Sequence, residues 1–326
     1  MSDTYTTIDI NTIDLSDDRF SITEDTEPDP SVYSNIQEYG NLLPPLLWFK
    51  PDSGGRHSYI VINGLRRIAA FRRNHVKRVD AIVVPPGVSE KKCLIRAISI
   101  PAFQRPLSLV EVLRAVWRLA SFFTDQQISQ KACEIMNQAL NIRYVKQLNS
   151  LKPHQAVLLP MIQKNKITLK TAFELVSLGS EHIGIFTRIF SAIKASASVQ
   201  KEIIRHLTEV SSRETVDIKD IFAAIGLDQV LADSHIDIKN KTQKVRQVLF
   251  DNRFPTLSQA KKKTQHIISQ LPHKNLIQMT PPHNFEARGY QITFSIESRQ
   301  DFINKLDLLK QCANHADIQK LFWYED

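Results

Sequence analysis

The sequence predicts an α+β N-terminal domain, an all-α middle and a small α+β C-terminal domain, and three observations carry that reading. Residues 58–62 and 79–84 are apolar, β-branched runs of strand length, with the helically spaced stretch 65–74 between them. From 89 to about 271 apolar residues recur at helical intervals with few long interruptions. Near the end, Tyr290, Ile292, Phe294 and Ile296 alternate onto one face, and 299–312 returns to helical spacing.

In chain order, residues 1–30 form an acidic segment whose alternation of Ile8, Ile10, Ile13 and Leu15 predicts one edge strand. A short helix follows over 32–39, stopped by Gly40, then a strand over 42–49 interrupted near Pro44 and Pro45. Asp52-Ser53-Gly54-Gly55 marks a turn, and the 58–62 strand ends in Asn63-Gly64, where the 65–74 helix begins. Pro85-Pro86-Gly87 closes the 79–84 strand, which sets the first domain at 31–100. In the helical region, 109–123 is amphipathic. Thr124 and Asp125 cap a helix running to about 138, and Asn141 caps another running to 152. Helices over 153–164 and 169–178 complete a second domain at 101–180. Weaker helical stretches over 181–232, 241–251 and 257–271 precede the α+β end, giving a third region at 181–326 of unassigned role.

The formal net charge of +8 hides a contrast: residues 1–30 hold nine Asp or Glu against Arg19, a balance of −8, so the rest carries +16. Such a basic remainder suits a polyanion, because phosphate contacts by Lys and Arg release counterions, and a solvated basic surface is the plain alternative. No run approaches the roughly 20 apolar residues of a membrane span, and the acidic start lacks a signal-peptide pattern, so a cytoplasmic protein with no membrane partner is expected. Cys93, Cys133 and Cys312 form no CxxC pair, and we expect them to be core thiols. No histidine falls in a metal-ligand spacing, and His266, His273 and His283 read as surface residues.

Two constellations could carry chemistry. At Gly64-Leu65-Arg66-Arg67 a turn glycine permits close backbone approach, free amides start a helix and two guanidinium groups follow, an arrangement that suits a phosphate. The alternative is a surface helix with Arg66, Arg67, Arg72 and Arg73 solvated. In the 141–152 helix, Ile142, Val145, Leu148 and Leu151 recur as one buried stripe. Its remaining positions hold Asn141, Arg143, Lys146, Gln147, Asn149 and Lys152. A helix that reads DNA needs this division, one face docked and the other offering cations and amides to phosphates and base edges, although a plain helical hairpin can share it. We expect Arg143 and Gln147 at base edges and Lys146 and Lys152 at phosphates. Lys261-Lys262-Lys263 is a further basic triplet, read as a solvated face or an electrostatic contact.

Across about residues 8–180 the chain resembles the ParB/sulfiredoxin family. The matching segments are Ser34-Asn35-Ile36-Gln37-Glu38-Tyr39-Gly40, Leu43-Pro44-Pro45 and Tyr59-Ile60-Val61-Ile62-Asn63-Gly64-Leu65-Arg66-Arg67-Ile68-Ala69-Ala70. They continue in Leu148-Asn149-Ser150-Leu151-Lys152-Pro153 and Gln163-Lys164-Asn165-Lys166-Ile167-Thr168. The resemblance implies a ParB/sulfiredoxin-like first domain, a helix-turn-helix second domain, and CTP with magnesium held by Gly40, Gly64, Arg66, Arg67, Gln104 and Arg105. It also implies double-stranded DNA as ligand, a homodimer closing as a clamp, a ParA-type ATPase as partner, and a nucleoid or plasmid association. The third family segment, Glu-Asn-x-Gln-Arg, falls on Pro101-Ala102-Phe103-Gln104-Arg105, where the first two positions carry no side-chain oxygen for magnesium, which argues against CTP hydrolysis. Leu65 stands where sulfiredoxins need a nucleophilic cysteine, which argues against that activity. A nucleotide-independent transcription regulator on the same fold is the main alternative; a weak hydrolase or nuclease is the lesser one.

Overall fold

The computed structural model describes residues 2–23, 30–41, 43–50, 59–272, 276–282, 285, 289–316 and 318–322. The predicted 52–55 turn, Leu42, Ser58, His273 and His283 lie outside them. The chain divides into two compact units, 1–183 and 184–326.

The first unit opens with β1 (Thr4–Asp9), a 3-10 turn at Ile10–Thr12, and β2 (Ile13–Asp14). Then come α1 (Pro30–Tyr39), β3 (Leu46–Phe49), β4 (Tyr59–Asn63), α2 (Leu65–Arg73) and β5 (Arg78–Val84). The five strands form one sheet in the order β1-β5-β3-β4-β2. β1 pairs antiparallel with β5, β5 parallel with β3, β3 antiparallel with β4, and β4 parallel with β2. This corrects the single predicted edge strand: the Asp9 carboxylate accepts from Asn11 N at 2.9 Å, turning the chain so that β1 and β2 occupy opposite edges. One sheet face packs Ile8, Leu47, Val61, Val79 and Ala81 with Ile36 of α1 and Ile68 and Phe71 of α2. Ile60 and Ile62 are buried as well, so β4 is apolar on both faces, as a covered central strand must be.

The helical part of this unit runs α3 (Glu90–Gln104), α4 (Leu109–Leu119), α5 (Asp125–Met136), α6 (Ile142–Ser150), a 3-10 turn at Lys152–His154, α7 (Gln155–Gln163) and α8 (Leu169–Leu178). α3 packs on β4, so the sheet and the helices share one unit. Ser108 and Glu111 close a reciprocal capping box at the start of α4, and Thr124 with Gln127 closes another at α5. α9 (Ser180–Ala192) contains the division between the units.

The second unit continues with α10 (Ala197–Glu214), α11 (Ile218–Ala224), α12 (Leu227–Ala232), α13 (Ile238–Arg253) and α14 (Pro255–Gln270). It ends in β6 (Gln278–Thr280), β7 (Gln291–Thr293), α15 (Arg299–Ala313) and a 3-10 turn at Gln319–Phe322. Phe186 and Phe190 stack at 6.3 Å in its core. β6 and β7 form a two-stranded antiparallel sheet. Cys93 and Cys312 are buried, whereas Cys133 is exposed and corrects the expectation of three core thiols. It lies on α5 between buried Ala132 and Ile135, on the helix's outward side. Among the described residues no helix is long and apolar enough to cross a membrane.

Candidate functional site

β4 ends at Asn63, and the turn into α2 is made by Gly64 at φ +100°, a left-handed conformation that L side chains rarely adopt. A Cβ there would lie 2.9 Å from both Pro45 Cβ and Arg67 Nη2, so the position requires glycine for space as well as for φ. No side chain caps α2, and its first residues, Leu65, Arg66 and Arg67, border the adjoining cavity.

That cavity, of about 320 Å³, is lined by Asn63, Gly64, Leu65, Arg66 and Arg67 on one side and by Ala97, Pro101, Gln104 and Arg105 of the α3 end on the other. A strap of residues 17–23 supplies Asp17, Ser21, Ile22 and Thr23 as a further wall. The structure thus gathers Gly64, Arg66, Arg67, Gln104 and Arg105. Gly40 is not in the lining: at φ +73° it ends α1, donating its N–H to Ile36 O at 3.0 Å.

Arg67 donates to Asn63 Oδ1 at 2.8 Å and to the Leu43 carbonyl. Both partners are neutral, and burial pulls the guanidinium below the ordinary arginine range. A half-buried cation without a carboxylate partner among the described residues gains from an anion in the cavity. Arg66 is exposed. Arg105 spends two nitrogens on Glu111, at 2.8 and 2.6 Å. Burial would raise the Glu111 carboxyl, yet the bonds from Arg105 and from the Ser108 N–H outweigh it and hold it below the usual carboxylate range.

Asp17 is the carboxylate of the lining, and sequence reasoning missed it because nothing local ties an acidic loop to a turn some fifty residues away. Both of its oxygens accept from Arg19 Nε, at 2.8 and 2.9 Å. Magnesium takes an octahedral oxygen shell with one or two carboxylates. One carboxylate already committed to a guanidinium, in a lining it shares with Pro101 and Ala97, does not make such a site. Among the described residues no group of three or more His, Cys, Asp or Glu is placed for a metal.

A larger cavity of about 500 Å³ lies on the other side of the strap, lined by Asp18, Ser21, Thr23, Arg114, Trp117, Arg118, Lys152 and Gln155 among others. Its cations are already engaged. Arg118 donates to the Ser21 and Arg19 carbonyls at 2.8 Å each and to Asp18 at 3.2 Å; Arg114 donates to the Thr23 carbonyl; Lys152 donates to Trp117 O at 3.0 Å. The arginine bonds hold the strap and the lysine bond holds α4, so size alone does not make this cavity the anion site.

In the α5–α6 pair, Ile128, Ala132, Ile135, Met136, Val145 and Leu148 are buried between the helices and their neighbours. Trp117 Nε1 of α4 donates to Leu148 O at 2.7 Å, fixing α6 from behind. Arg143, Lys146, half-buried Gln147 and Ser150 line a shallow outward depression with Ile142. Ile142 is 41 % exposed, so it leaves the expected buried stripe, being the first helical residue with no turn packed over it. Three other predicted contacts have internal work. Asn141 caps α6 through Tyr144 N at 2.8 Å, Asn149 donates to Asp125 Oδ1 at 2.6 Å, and Lys152 holds Trp117.

The sequence matches no protein-family model and no curated protein. Among solved structures the chain is similar to C-terminally truncated chromosome-partitioning protein ParB from Caulobacter crescentus complexed with CTP-gamma-S. That pair shares 16 % identity and a TM-score of 0.27, covering 57 % of this chain and 98 % of that one. It is also similar to the same truncated protein complexed to the centromeric parS site, at 15 % identity and a TM-score of 0.34, covering 57 % and 91 %. A third likeness is to a Pnob8-like ParB-N domain, at 14 % identity and a TM-score of 0.35, covering 63 % and 90 %.

Proposed function

We propose that residues 1–183 form a ParB-like unit that binds a nucleoside triphosphate, CTP by the family resemblance, at the Gly64 turn and duplex DNA on the outward face of α6. The observation that carries the reading is the Arg67 guanidinium, half-buried on the cavity with neutral partners and beside an uncapped helix N-terminus. Arg66 reaches the ligand from the exposed side, and the Gln104 amide offers a hydrogen bond from the α3 end. On α6, Arg143 and Lys146 meet phosphates or base edges and Gln147 meets base edges, while Asn141, Asn149 and Lys152 keep the helix in place.

The two sites are linked through Arg105, which touches the cavity and grips Glu111 in the first turn of α4. α4 in turn holds α6 through Trp117. A triphosphate drawing Arg105 from Glu111 favours a different α3–α4 arrangement, and a ligand shifts such an equilibrium only by its differential affinity for the two states. By the family resemblance the working form is a homodimeric clamp acting in partition with a ParA-type ATPase, its two recognition helices related by a two-fold axis.

Calorimetric titration with CTP, ATP and GTP tests the nucleotide arm, on the full chain and on an Arg66→Ala variant, with duplex affinity followed in parallel. Saturable CTP binding weakened in the variant is the expected result. A second reading, a nucleotide-independent DNA-binding regulator, is favoured by Pro101 and Ala102, which bring no side-chain oxygen to the cavity. Duplex binding without affinity for any nucleotide selects it.

A further inference from the structure

Residues 238–263 hold eight Lys or Arg against Asp251 as the single acid, the densest positive stretch of the second unit. Most of it is α13, whose apolar positions Val245 and Leu249 are buried. The helix packs on α10, α12 and α14. At about 100° per residue, Lys239, Asn240, Gln243, Lys244, Arg246 and Gln247 then fall within an arc of roughly 160° on the other side. All six are exposed. They line two adjoining depressions of about 640 and 380 Å³ that share Gln243 and Arg246, with Lys194 at the edge of the smaller one.

The internal bonds of this face separate support from recognition. Arg246 is bidentate on Glu202 at 2.9 and 2.8 Å, Asn240 donates to Asp237 at 2.6 Å and Gln247 to Asp251 at 2.7 Å. Lys239, Gln243, Lys244 and Lys194 have no side-chain partner among the described residues. Three uncompensated ammonium groups around an uncommitted amide are the donor set that a phosphate backbone and a groove edge accept together. A membrane surface would instead need a continuous apolar helix face, whereas Ile238 and Phe250 are the large apolar side chains at these depressions among mostly polar and charged ones, with Val245 and Leu249 buried.

From these observations we infer that α13 is a second duplex-DNA contact surface, with Lys239, Lys244 and Lys194 on phosphates and Gln243 toward a groove. It is separate from α6 and does not depend on the nucleotide reading. A chain with two such surfaces holds more duplex than one helix can cover, and each contributes its own share of the salt dependence.

The test measures the affinity of the full chain for a duplex of about three helical turns across a salt series. Three double variants are compared with the unaltered chain: Lys239→Ala/Lys244→Ala, Arg143→Ala/Lys146→Ala, and the charge-matched control Lys219→Ala/Lys310→Ala. At about 0.9 per phosphate contact, the α13 variant should lower the slope of log K against log salt by about 1.8, on the order of 60-fold in affinity at 0.1 M salt, with little change in the control. If the α13 variant matches the control while the α6 variant loses affinity, the inference fails and the α6 reading stands. The reverse pattern upholds the inference and removes the α6 reading. Tighter binding of the chain to single-stranded RNA or to phosphatidylserine vesicles than to duplex, lost in the α13 variant, overturns the assignment to DNA.

Discussion

Replacing Gly64 by alanine should cost the first unit about 3 kcal/mol, and two separable effects add to that figure. Holding an L residue in the left-handed region costs roughly 1–2 kcal/mol, and forcing a methyl group into packed surroundings roughly 1–3 kcal/mol. The second effect arises because the new Cβ would stand 2.9 Å from Pro45 Cβ and 3.1 Å from Pro45 Cα. Pro45 cannot easily yield, since its carbonyl accepts from Ile82 N at 2.9 Å within the sheet. Gly40 separates the two effects: it also has positive φ, at +73°, but a Cβ there meets nothing within 4 Å. Gly40→Ala should therefore cost only the conformational share, about 1–2 kcal/mol. Urea unfolding followed by Trp48 and Trp117 in a Trp323→Phe background reports on the first unit. Nucleotide titration of the same variants should show affinity lost in Gly64→Ala and kept in Gly40→Ala, because the clash also displaces Arg67. Equal unfolding midpoints for the two variants, or full nucleotide affinity in Gly64→Ala, would refute the steric reasoning.

Three further outcomes are expected. Glu111 has a folded pKa held below its unfolded value near 4.3, so its stabilisation is complete above that pH and fades as pH falls through the lower folded value. Glu111→Gln should make unfolding midpoints less dependent on acid below about pH 4.3, and an unchanged profile there would show that Arg105 contributes nothing. Asn149→Ala should lower stability by about 1 kcal/mol through the lost bond to Asp125 while leaving the salt slope of DNA binding unchanged. A reduced slope would place Asn149 at the DNA instead. In the second unit, burial and then Arg253 lower the pKa of His206, which lies edge-on to Phe254 at 6.1 Å. Its stabilisation is complete above the unfolded value near 6.5 and is lost as pH falls toward the folded value. Thermal melts of His206→Phe between pH 5 and 7 should lose that acid sensitivity, and retention of it would assign the effect to other groups.

What could be read in the sequence depended on the range of the forces involved. Asn63-Gly64, Thr124-Asp125 and Asn141 act within one turn of chain, and α2, α5 and α6 start where those residues predict. The 109–123 helix also starts where its spacing predicts, at Leu109, and the equally local capping box Ser108-Leu109-Val110-Glu111 accounts for that start. Residues 8–15 show the limit. Their alternation predicts strand but cannot say that Ile8 pairs with Val79 while Ile13 pairs with Tyr59 across the sheet. β6 was missed because Gln278, Met279 and Thr280 carry no alternation, and their strand exists through pairing with β7. At the candidate site the two arginine-bearing segments were visible, but the strap was not. Ser21 and Thr23 are held beside the cavity by guanidinium bonds from a helix about one hundred residues later in the chain, and Asp17 follows them on the same strap.

Ser21 and Thr23 line both cavities of the first unit, so a single thickness of backbone partitions one hollow from the other. A partition of that kind behaves as a diaphragm. An occupant too large for the smaller chamber would press on this strap, whose tethers to α4 are Arg118 and Arg114. Under the nucleotide reading, ligand bulk, as distinct from ligand charge, would then have its own route to the helix that braces α6.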